Sequence, residues 1–434
     1  MKSYKILSVG DKLKNLREKY NLRQEDLAGD EITRNLISQI EHNKAKLTKN
    51  AATVIIKNLI AICKEHKFDL NECVNYLMED EKGQASKILD TYIKELKDLS
   101  IYKDNTFCNK LNEVEEFLAN WDFKDKKIAI FELAGDYFCN INDFYNSSIY
   151  YEKVKALIDM NNSNENIISI LRKLSMVYFY MGKYEADIKC CEFAINKITN
   201  MNNEYYYIFV FNSALCYIEL KEYKKALNRL SAIEETIKKV NMDKYYEVLM
   251  SKAICFQELK EYRKSLGIYD ILSEYIDKDN YEKQILILVN TSEIYIELSK
   301  YDLVEKNLNI IMDNIGKLNN DNNELSRLYF EMSKIYKSLN NLKKAEDYCS
   351  KSLNYAKKTN NYHMLNNIFI QLIDIYTLTK NNKAMTNIKN EFFMLTGKEN
   401  KLDTAIMYKL IGFYLNTEDI QSLKEIYAFT EKFV

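Results

Sequence analysis

Aromatic side chains return along most of the chain at a nearly constant spacing. Intervals of 38 to 41 residues separate Tyr137, Tyr178, Tyr217, Phe256, Tyr295, Tyr336, Tyr376 and Tyr414. A small residue stands three positions before the first six of them, as Ala134, Ser175, Ala214, Ala253, Ser292 and Ser333. Ile373 and Ile411 replace it in the last two repeats. A fixed period near 40 residues is typical of stacked pairs of helices.

A second ladder of large residues follows the first and marks the other helix of each pair. Its members are Phe144, Tyr184, Tyr223, Tyr262, Tyr301 and Leu342. Several of them carry a small residue three positions later, as Ala226, Ser265 and Ala345 do. We expect the small residues to let the two helices of a pair approach closely. The aromatic residues would fill the gap to the next pair.

The first part of the chain has a different pattern, of short helices joined by tight turns. The apolar spacing predicts one helix from about Val9 to Tyr20, another from about Asn50 to Lys64, and a closing segment from Asn71 to Met78. Residues 22–44 read as a short helix, a turn and a second helix. The apolar positions that would pack these two helices together are Leu27, Ala28, Ile37 and Ile40.

The second helix of this pair has a polar outer face. Thr33 can begin it, because a Thr side chain accepts from the unpaired N–H groups of a first turn. Asn43 can end it, because Asn tolerates the left-handed conformation. The side chains left facing outward are those of Thr33, Arg34, Asn35, Ser38, Gln39 and His42. A helix-turn-helix that presents its second helix in this way reads the major groove of DNA.

These patterns divide the chain into two predicted domains. We expect a DNA-binding domain over residues 1–78, called the head below, and a helical array over residues 87–434. Residues 79–86 are the predicted linker, because this stretch is charged, contains Gly83 and interrupts the apolar period.

The composition supports an almost wholly helical chain. There is no Pro and there are only 9 Gly in 434 residues, fewer turn-forming residues than a β-rich or loop-rich fold needs. No apolar run approaches the roughly 18 residues of a membrane span, and the first residues lack the apolar region of a signal peptide. We therefore expect a soluble, cytoplasmic protein without a membrane partner.

Charge is distributed unevenly along the chain. Residues 1–67 carry a formal charge of +6 and the remainder carries −7, although the whole chain carries only −1. A basic head on an acidic body suits a DNA-binding head, because contacts to phosphate supply most non-specific affinity. Chance asymmetry is the alternative, since +6 is modest for a domain of this size.

No residue pattern indicates a metal site, a cofactor or catalysis. The 9 Cys form no C-x-x-C pair, and the three His residues, His42, His66 and His363, lie far apart in the sequence. The sequence contains no Gly-rich phosphate loop and none of the common nucleophile or metalloprotease motifs. We therefore expect no catalytic residue, no metal and no cofactor, and a protein that is not an enzyme.

The chain resembles a known family of regulators. Residues 9–60 resemble the Cro/C1-type (Xre-like) helix-turn-helix, and residues from about 84 to 434 resemble tetratricopeptide repeats. Together they are similar to the RRNPP family of low-GC Gram-positive bacteria, whose transcription regulators sense a short signalling peptide. Within that family the chain looks most like the clostridial RstA-type regulators of sporulation and toxin synthesis. The resemblance implies an all-α fold, with an N-terminal helix-turn-helix domain followed by a tetratricopeptide-like helical-repeat superhelix.

The resemblance also implies roles for residues of the head. Gln24 would contact a phosphate or anchor the reading helix, and Arg34, Asn35 and Gln39 would read bases. Arg suits guanine, and Asn or Gln suits adenine, because each offers a matching pair of hydrogen-bonding groups. The alternative is an ordinary solvated face. The candidate DNA-binding residues are Gln24, Thr33, Arg34, Asn35, Leu36, Ser38, Gln39, His42, Lys44 and Lys46.

Two of these assignments have open alternatives, and the motif departs from the family in three places. Leu36 would touch a thymine methyl group or pack into the core of the head, and the two lysines would hold phosphate or simply be solvated. Arg23 stands where the family has a capping Ser or Thr, and Asn43 stands where it has Gly. The turn between the helices is one residue short, so the register of the reading helix is uncertain by about one position.

The first helix of each repeat pair would line a concave groove that binds the peptide. Counting from the small residue of each repeat places a set of side chains inward: Arg172, Lys173, Phe211, Asn212, Leu215, Ile254, Val289, Asn290, Arg327, Phe330, Asn367 and Gln371. Asn212 and Asn290 occupy the same position two repeats apart. An Asn side chain can donate to and accept from an extended peptide backbone. The alternative is that Asn is simply abundant in this chain.

We hypothesise a peptide-responsive, sequence-specific transcription regulator acting in quorum sensing, with control of sporulation and virulence genes implied by the resemblance. Its partners would be double-stranded DNA, a short signalling peptide and a second copy of the chain. A homodimer on a palindromic operator is expected, because one such head contacts one half-site. The alternative is a DNA-binding regulator without a peptide ligand, whose repeats dimerise or dock a protein. A pure scaffold is disfavoured, because Arg34, Asn35 and Gln39 keep a reading face.

Overall fold

The computed structural model of the chain describes residues 4–67, 69, 71–101, 105–158, 164–198, 201–318, 324–359, 362–399 and 402–432. Residues 1–3, 68 and 70 of the predicted head, and several short stretches of the predicted array, lie outside the described residues. Within the described ranges every regular element is a helix, which confirms the predicted all-α class. The chain divides into two compact units, residues 1–216 and 217–434.

Five helices form the head around one hydrophobic core. They are α1 (Val9–Lys19), α2 (Gln24–Ala28), α3 (Arg34–Glu41), α4 (Lys49–His66) and α5 (Val74–Met78). Leu27 and Ala28 of α2 and Ile37 and Ile40 of α3 are buried in the same cluster, as predicted. The core therefore fixes which face of α3 points outward.

Gly29 makes the tight turn that follows α2. Its φ is +55°, and a Cβ at this position would lie 2.6 Å from Nδ2 of Asn58 in α4. That amide nitrogen donates to the Leu27 carbonyl at 3.0 Å, so Asn58 is held against the turn. Only glycine satisfies both the backbone conformation and the close approach.

The remaining helices of the first unit follow the head. They are α6 (Glu81–Ser100), α7 (Asn105–Asn120), α8 (Lys124–Asn140), α9 (Phe144–Leu157), α10 (Asn164–Tyr180), α11 (Tyr184–Lys197) and α12 (Asn203–Glu219), which contains the boundary between the units. Residues 81–86 of the predicted linker are the first turns of α6, and the Asp80 carboxylate caps this helix by accepting from Gly83 N at 2.7 Å. The linker is corrected to this extent, because an N-cap and a first turn are also charged and interrupt the apolar period. The domain boundary itself stays a prediction.

A buried lysine attaches the head to this junction. Lys12 of α1 is only 1% exposed, and its Nζ donates to the carbonyls of Tyr76 and Glu79, each at 2.9 Å. The Glu79 carboxylate lies 3.6 Å from the same Nζ. Burial lowers the pKa of Lys12, and the charge of Glu79 opposes that shift. The ammonium group thus donates to carbonyls at the end of α5, where the last carbonyls of a helix have no acceptor role within the helix itself.

The segment before α1 also packs on α6. The side-chain amide of Gln84 pairs with the backbone of Leu7 in both directions, at 3.2 Å and 2.8 Å. The Tyr4 ring meets the Tyr92 ring edge-on, with centroids 5.4 Å apart. The segment before α1 therefore joins the head to α6.

The second unit contains the remaining helices of the array. They are α13 (Tyr223–Val240), α14 (Met242–Glu258), α15 (Tyr262–Tyr275), α16 (Tyr281–Glu297), α17 (Tyr301–Ile315), α18 (Leu325–Ser338), α19 (Leu342–Lys358), α20 (Tyr362–Thr379), α21 (Asn382–Glu399), α22 (Thr404–Asn416) and α23 (Ile420–Thr430). Each of the predicted second-ladder residues is the first residue of a helix. None of the helices in the described part of the chain combines the length and the apolar character that a membrane crossing needs.

The turn between the two helices of a pair has the same geometry in seven repeats. A residue with positive φ comes first, and the residue after it donates its N–H to the carbonyl of the ladder aromatic five positions back, at 2.8–3.0 Å. The donor–acceptor pairs are Lys183–Tyr178, Glu222–Tyr217, Glu261–Phe256, Lys300–Tyr295, Asn341–Tyr336, Asn381–Tyr376 and Asp419–Tyr414. This bond closes a Schellman motif, which supplies a partner for a carbonyl that the helix end would leave free.

Small residues lie at the contact between the two helices of a pair in α14–α15 and α18–α19, as predicted. All six small residues of the first ladder are fully buried: Ala134, Ser175, Ala214, Ala253, Ser292 and Ser333. Ser265 of α15 donates to the carbonyl of Ala253 in α14 at 2.8 Å, and Ser333 of α18 donates to the carbonyl of Ala345 in α19 at 2.7 Å. A larger side chain at these positions would separate the two backbones. In the last two repeats Ile373 is buried and Ile411 is half-buried.

Substitution of Gly29 tests the turn of the head. Gly29→Ala should destabilise the protein by about 1–3 kcal/mol, because alanine is strained at φ +55° and its methyl group meets Asn58. Gly267→Ala is the matched control, because Gly267 lies inside α15 with no atom within 4 Å of a new Cβ. That change should stabilise the protein by up to about 1 kcal/mol. Urea unfolding measures both, and a neutral Gly29→Ala would contradict this account of the turn.

Candidate nucleic-acid interface and peptide-binding residues

The predicted reading helix begins and ends where its sequence indicates. The Thr33 hydroxyl accepts from Leu36 N at 3.3 Å and caps α3. Asn43 has a φ of +56°, and its side-chain oxygen accepts from Gly10 N at 3.1 Å. Helix α3 therefore starts at Arg34, as the Thr33 cap predicts, while the register of its residues against DNA bases stays a prediction.

An ion pair between Arg17 and the buried Glu41 fixes the inward side of the reading helix. Glu41, 6% exposed, accepts from Arg17 Nε of α1 at 2.6 Å and from Arg17 Nη2 at 3.2 Å. Gln24 Nε2 of α2 donates at 2.8 Å to Glu41 Oε2, the oxygen that also accepts from Arg17 Nη2. The hydrogen bond to Glu41 raises the pKa of Arg17, against the opposing effect of burial. Gln24 thus anchors α3, which is one of its two predicted roles.

Arg17 and Glu41 were missed by the sequence reasoning. The sequence feature that could have indicated this pair is Glu41, which lies four residues after Ile37 and therefore on the apolar, inward face of the reading helix. A carboxylate buried at such a position needs a cationic partner. Arg17 is the candidate on α1 that could have been named.

Five of the predicted reading residues are exposed: Thr33, Arg34, Asn35, Gln39 and His42. Ser38 is half-buried and therefore less accessible than predicted. Leu36 is also half-buried and packs against the core of the head, which favours the packing alternative for this residue. The His42 ring contacts the Ser38 carbonyl through Nδ1 at 2.7 Å. A carbonyl only accepts, so Nδ1 carries a proton and Nε2 points away.

Helix α2 begins without the cap that the family uses. Arg23 has no acceptor on its side chain and makes no side-chain cap. Asp26 instead accepts from Arg23 N at 2.6 Å. The expected loss of the cap is therefore partly offset by a carboxylate three residues later.

Lys44 and Lys46 follow the reading helix and are both exposed. The backbone N–H of Lys44 donates to the Gln39 carbonyl at 2.8 Å, which fixes this segment against the end of α3. Contact of the two lysines with phosphate stays a prediction.

The first unit brings three of the predicted peptide-binding residues together. Arg172, Lys173 and Asn212 line a cavity of about 670 Å³ between α8, α10 and α12. This volume is within the usual range for ligand sites. Asn212 Nδ2 donates to the Ser175 hydroxyl at 3.0 Å, so its side-chain oxygen keeps an open acceptor site.

Lys173 has carboxylate partners in this cavity. Its Nζ lies 2.8 Å from Glu132 and 2.7 Å from Asp136. Burial lowers the pKa of Lys173, but hydrogen bonds to these carboxylates outweigh burial and the net shift is upward. The other two predicted residues of this unit, Phe211 and Leu215, are half-buried, and the Phe211 ring stacks on Tyr207.

The predicted residues of the second unit differ in accessibility. Val289 is 2% exposed and belongs to the hydrophobic core, so its assignment to a binding surface is wrong. Counting from the small residue predicted a groove position for Val289 and for its neighbour Asn290. Val289 instead lies on the side of α16 that faces the core. Ile254, Asn290 and Phe330 are half-buried, and Asn367 is exposed. Arg327 is half-buried, with its Nε 2.7 Å from Glu324.

A row of polar side chains links successive first helices in the second unit. We call it the polar row, and it consists of Gln257, Glu293, Lys334, Lys337, Gln371 and Asp374. Gln257 Nε2 donates to Glu293 at 3.1 Å, and Lys337 Nζ donates to Asp374 at 3.0 Å. Both contacts have the same spacing. The first residue of each contact lies four positions after the small-residue position of its repeat, and its partner lies one position after the small-residue position of the next repeat. The counting rule could therefore have found them.

Several buried polar atoms have no hydrogen-bond partner within the described ranges. They include Gln257 Oε1 and Gln371 Nε2 of the polar row and the hydroxyl of Tyr246. Burial raises the pKa of Tyr246 to about 12, against the charge of Arg327, so its hydroxyl stays protonated at neutral pH. Gln371 is 8% exposed, which is more buried than expected of a binding residue. Buried polar atoms of this kind normally have partners.

Residues 10–79 match the helix-turn-helix domain family. The N-terminal part of this chain is a helix-turn-helix domain. The match covers α1 from its second residue and all of α2 to α5, so the network of Arg17, Glu41 and Gln24 belongs to this domain. No curated protein sequence matches the chain.

Solved structures with similar architecture were found, all at low identity. The apo form of RapI is 15% identical and has a TM-score of 0.45, and the match covers 63% of this chain and 99% of RapI. Apo NprR of B. thuringiensis is 14% identical with a TM-score of 0.45, covering 82% and 99%. Bacillus thuringiensis PlcR, in complex with the peptide PapR7 and DNA, is 13% identical with a TM-score of 0.31, covering 68% and 99%. At TM-scores below 0.5 these likenesses decide no function.

The buried ion pair of the helix-turn-helix domain can be tested by stability. Glu41→Gln should cost about 1–3 kcal/mol, because it removes the charged acceptor of the partly buried Arg17 guanidinium and leaves it only the Glu18 carboxylate at 3.8 Å. Glu31→Gln is the control, since Glu31 pairs with Lys57 on the exposed surface of the same domain and should cost less than about 1 kcal/mol. Denaturant unfolding followed by circular dichroism gives both values. Equal costs for the two variants would contradict the proposed anchor.

Proposed function

We propose that this protein is a sequence-specific, DNA-binding transcription regulator of the RRNPP type, and that its repeats bind a short signalling peptide. The observation that carries the DNA-binding part is the reading helix, which is anchored by Arg17, Glu41 and Gln24 while Arg34, Asn35 and Gln39 stay exposed. A rigid support behind an exposed polar face suits base readout, because specificity depends on fixed geometry.

The peptide-binding part is supported by unused hydrogen-bonding capacity in each unit. In the first unit, Asn212 lines a cavity with Arg172 and Lys173. In the second unit, the polar row contains a buried donor and a buried acceptor without partners in the described residues. Each such atom costs about 1–3 kcal/mol, which a bound amide backbone would recover. Amide side chains suit this ligand because they both donate and accept.

The target genes and the oligomeric state also belong to the proposal. By the resemblance to RstA-type regulators, sporulation and toxin genes would be targets, and the regulator would bind a palindromic operator as a homodimer. One observation favours the alternative, in which the repeats dock a protein instead of a peptide. Tyr408, Leu415 and Tyr427 in α22 and α23 are 75%, 59% and 65% exposed, and exposed large apolar side chains are candidates for contact with a partner protein.

Base reading is tested by two kinds of variant in the helix-turn-helix domain. Arg34→Ala should cost about 1–3 kcal/mol in binding to a selected operator and should relax the preference at one base pair. Lys44→Ala or Lys46→Ala should weaken binding to all duplexes alike and reduce the salt slope by about one. Fluorescence anisotropy over a range of salt concentrations measures both. An Arg34→Ala variant with unchanged preference would contradict the assigned register.

Peptide binding is tested by first identifying what the protein carries. Peptides would be extracted from protein purified from its native cells, identified by mass spectrometry and resynthesised for calorimetry. Asn290→Ala should weaken binding by about 1–3 kcal/mol, because one amide pairing is lost from a desolvated site. Asn228→Ala, an exposed Asn on α13, should bind as the parent does. Equal affinity of the two variants would remove Asn290 from the site, and the absence of any captured peptide would favour the docking alternative.

A further inference from the structure

An exposed ion pair joins the two helices of the DNA-binding motif at their N-terminal ends. Glu25 Oε1 lies 3.1 Å from Arg34 Nη1, and the two side chains are 59% and 67% exposed. Pairs this exposed contribute at most about 1 kcal/mol to folding. Stability therefore does not account for the contact, and its position on the reading surface calls for another explanation.

The positions of the two residues in their helices favour contact between the Arg34 guanidinium and the Glu25 carboxylate. Glu25 lies in the first turn of α2, where the helix dipole stabilises a carboxylate. Arg34 is the first residue of α3, where the same effect disfavours a cation. The contact with Glu25 therefore lowers the electrostatic energy of the Arg34 guanidinium. The nearby carboxylates have other partners, since Asp26 accepts from Arg23 N and Glu31 pairs with Lys57.

The guanidinium keeps enough donors to read a base while it is held. Arginine has five N–H groups, and a carboxylate on one edge leaves another edge free for the O6 and N7 atoms of guanine. A free Arg side chain loses about 2 kcal/mol of rotamer entropy when it is fixed, and a neighbour that restrains it beforehand reduces this loss. The carboxylate itself is repelled by phosphates, so it opposes binding to DNA that offers Arg34 no guanine.

We propose that Glu25 is a specificity-determining residue that holds Arg34 in the orientation for reading a guanine and lowers affinity for unrelated DNA. This inference rests on the proposed DNA-reading function and deepens it by naming the base and the positioning residue. Glu25 acts through Arg34, so its effect should vanish when Arg34 is absent.

The test is selection of DNA from a randomised duplex pool by the full-length chain, followed by binding measurements. The wild-type protein should select a motif that contains a guanine whose preference depends on Arg34. Glu25→Gln should reduce preference for this guanine about tenfold, which corresponds to 1.4 kcal/mol. The same variant should bind a scrambled duplex more tightly than the wild type. Glu31→Gln removes an equally exposed carboxylate from the same domain and should change neither value.

A double-mutant cycle separates positioning from a general change of the domain. In an Arg34→Ala background, Glu25→Gln should have no further effect on base preference. Preference unchanged in Glu25→Gln, or affinity lost equally for all duplexes, would overturn the inference while leaving the DNA-reading function intact. A wild-type chain that selects no motif would overturn the proposed function itself, and this inference with it.

Discussion

One backbone hydrogen bond recurs through the array, and the spacing of the repeats depends on it. The carbonyl that accepts this bond belongs to the ladder aromatic, and the donor follows a residue in the left-handed conformation. The same residue therefore supplies a side chain between helices and a backbone atom to the turn. Because both tasks are fixed to one position, insertion or deletion between the aromatic and the turn would misplace one of them.

This constraint also explains how the array folds without proline and with few glycines. In the seven turns, Gly182 is the only glycine at the left-handed position, and the others are Lys221, Lys260, Ser299, Asn340, Lys380 and Glu418. A side chain in this conformation has an energetic cost. The Schellman bond offsets part of this cost in all seven turns, and packing at the small residue adds to it in the repeats that have one. The fold is thus determined by packing and helix ends more than by local turn preference.

The sequence predicted the structure best at positions where a residue type has one characteristic structural role. The aromatic ladder predicted the helix pairs, and Thr33 and Asn43 predicted both ends of the reading helix. It was less informative for contacts between side chains of distant elements. Arg17 of α1 and Glu41 of α3 are separated by the helix α2, and the sequence indicates that a buried Glu needs a cationic partner without showing that Arg17 reaches it.

The candidate binding surfaces show the same limit. Val289 and Asn290 are neighbours in sequence, yet one is a core residue and the other is half-buried. A position count is accurate to about one residue, and on a helix one residue is a rotation of 100°. Charge offers a better guide, because the polar row pairs unlike groups at fixed offsets along the repeats.

The attachment of the head to α6 has a consequence for evolution by domain exchange. Lys12 lies inside the helix-turn-helix domain, but one of its carbonyl partners, Glu79, is the last matched residue, and Gln84 and Tyr92 of α6 hold the segment before α1. A recombination event at residue 78 would transfer a reading helix and the Tyr76 carbonyl, but it would remove the Glu79 carboxylate beside the buried ammonium group and the contacts of Gln84 and Tyr92. The heritable module is therefore the head together with α6. Shuffling that joined such heads to other bodies would succeed only where the crossover fell after that helix.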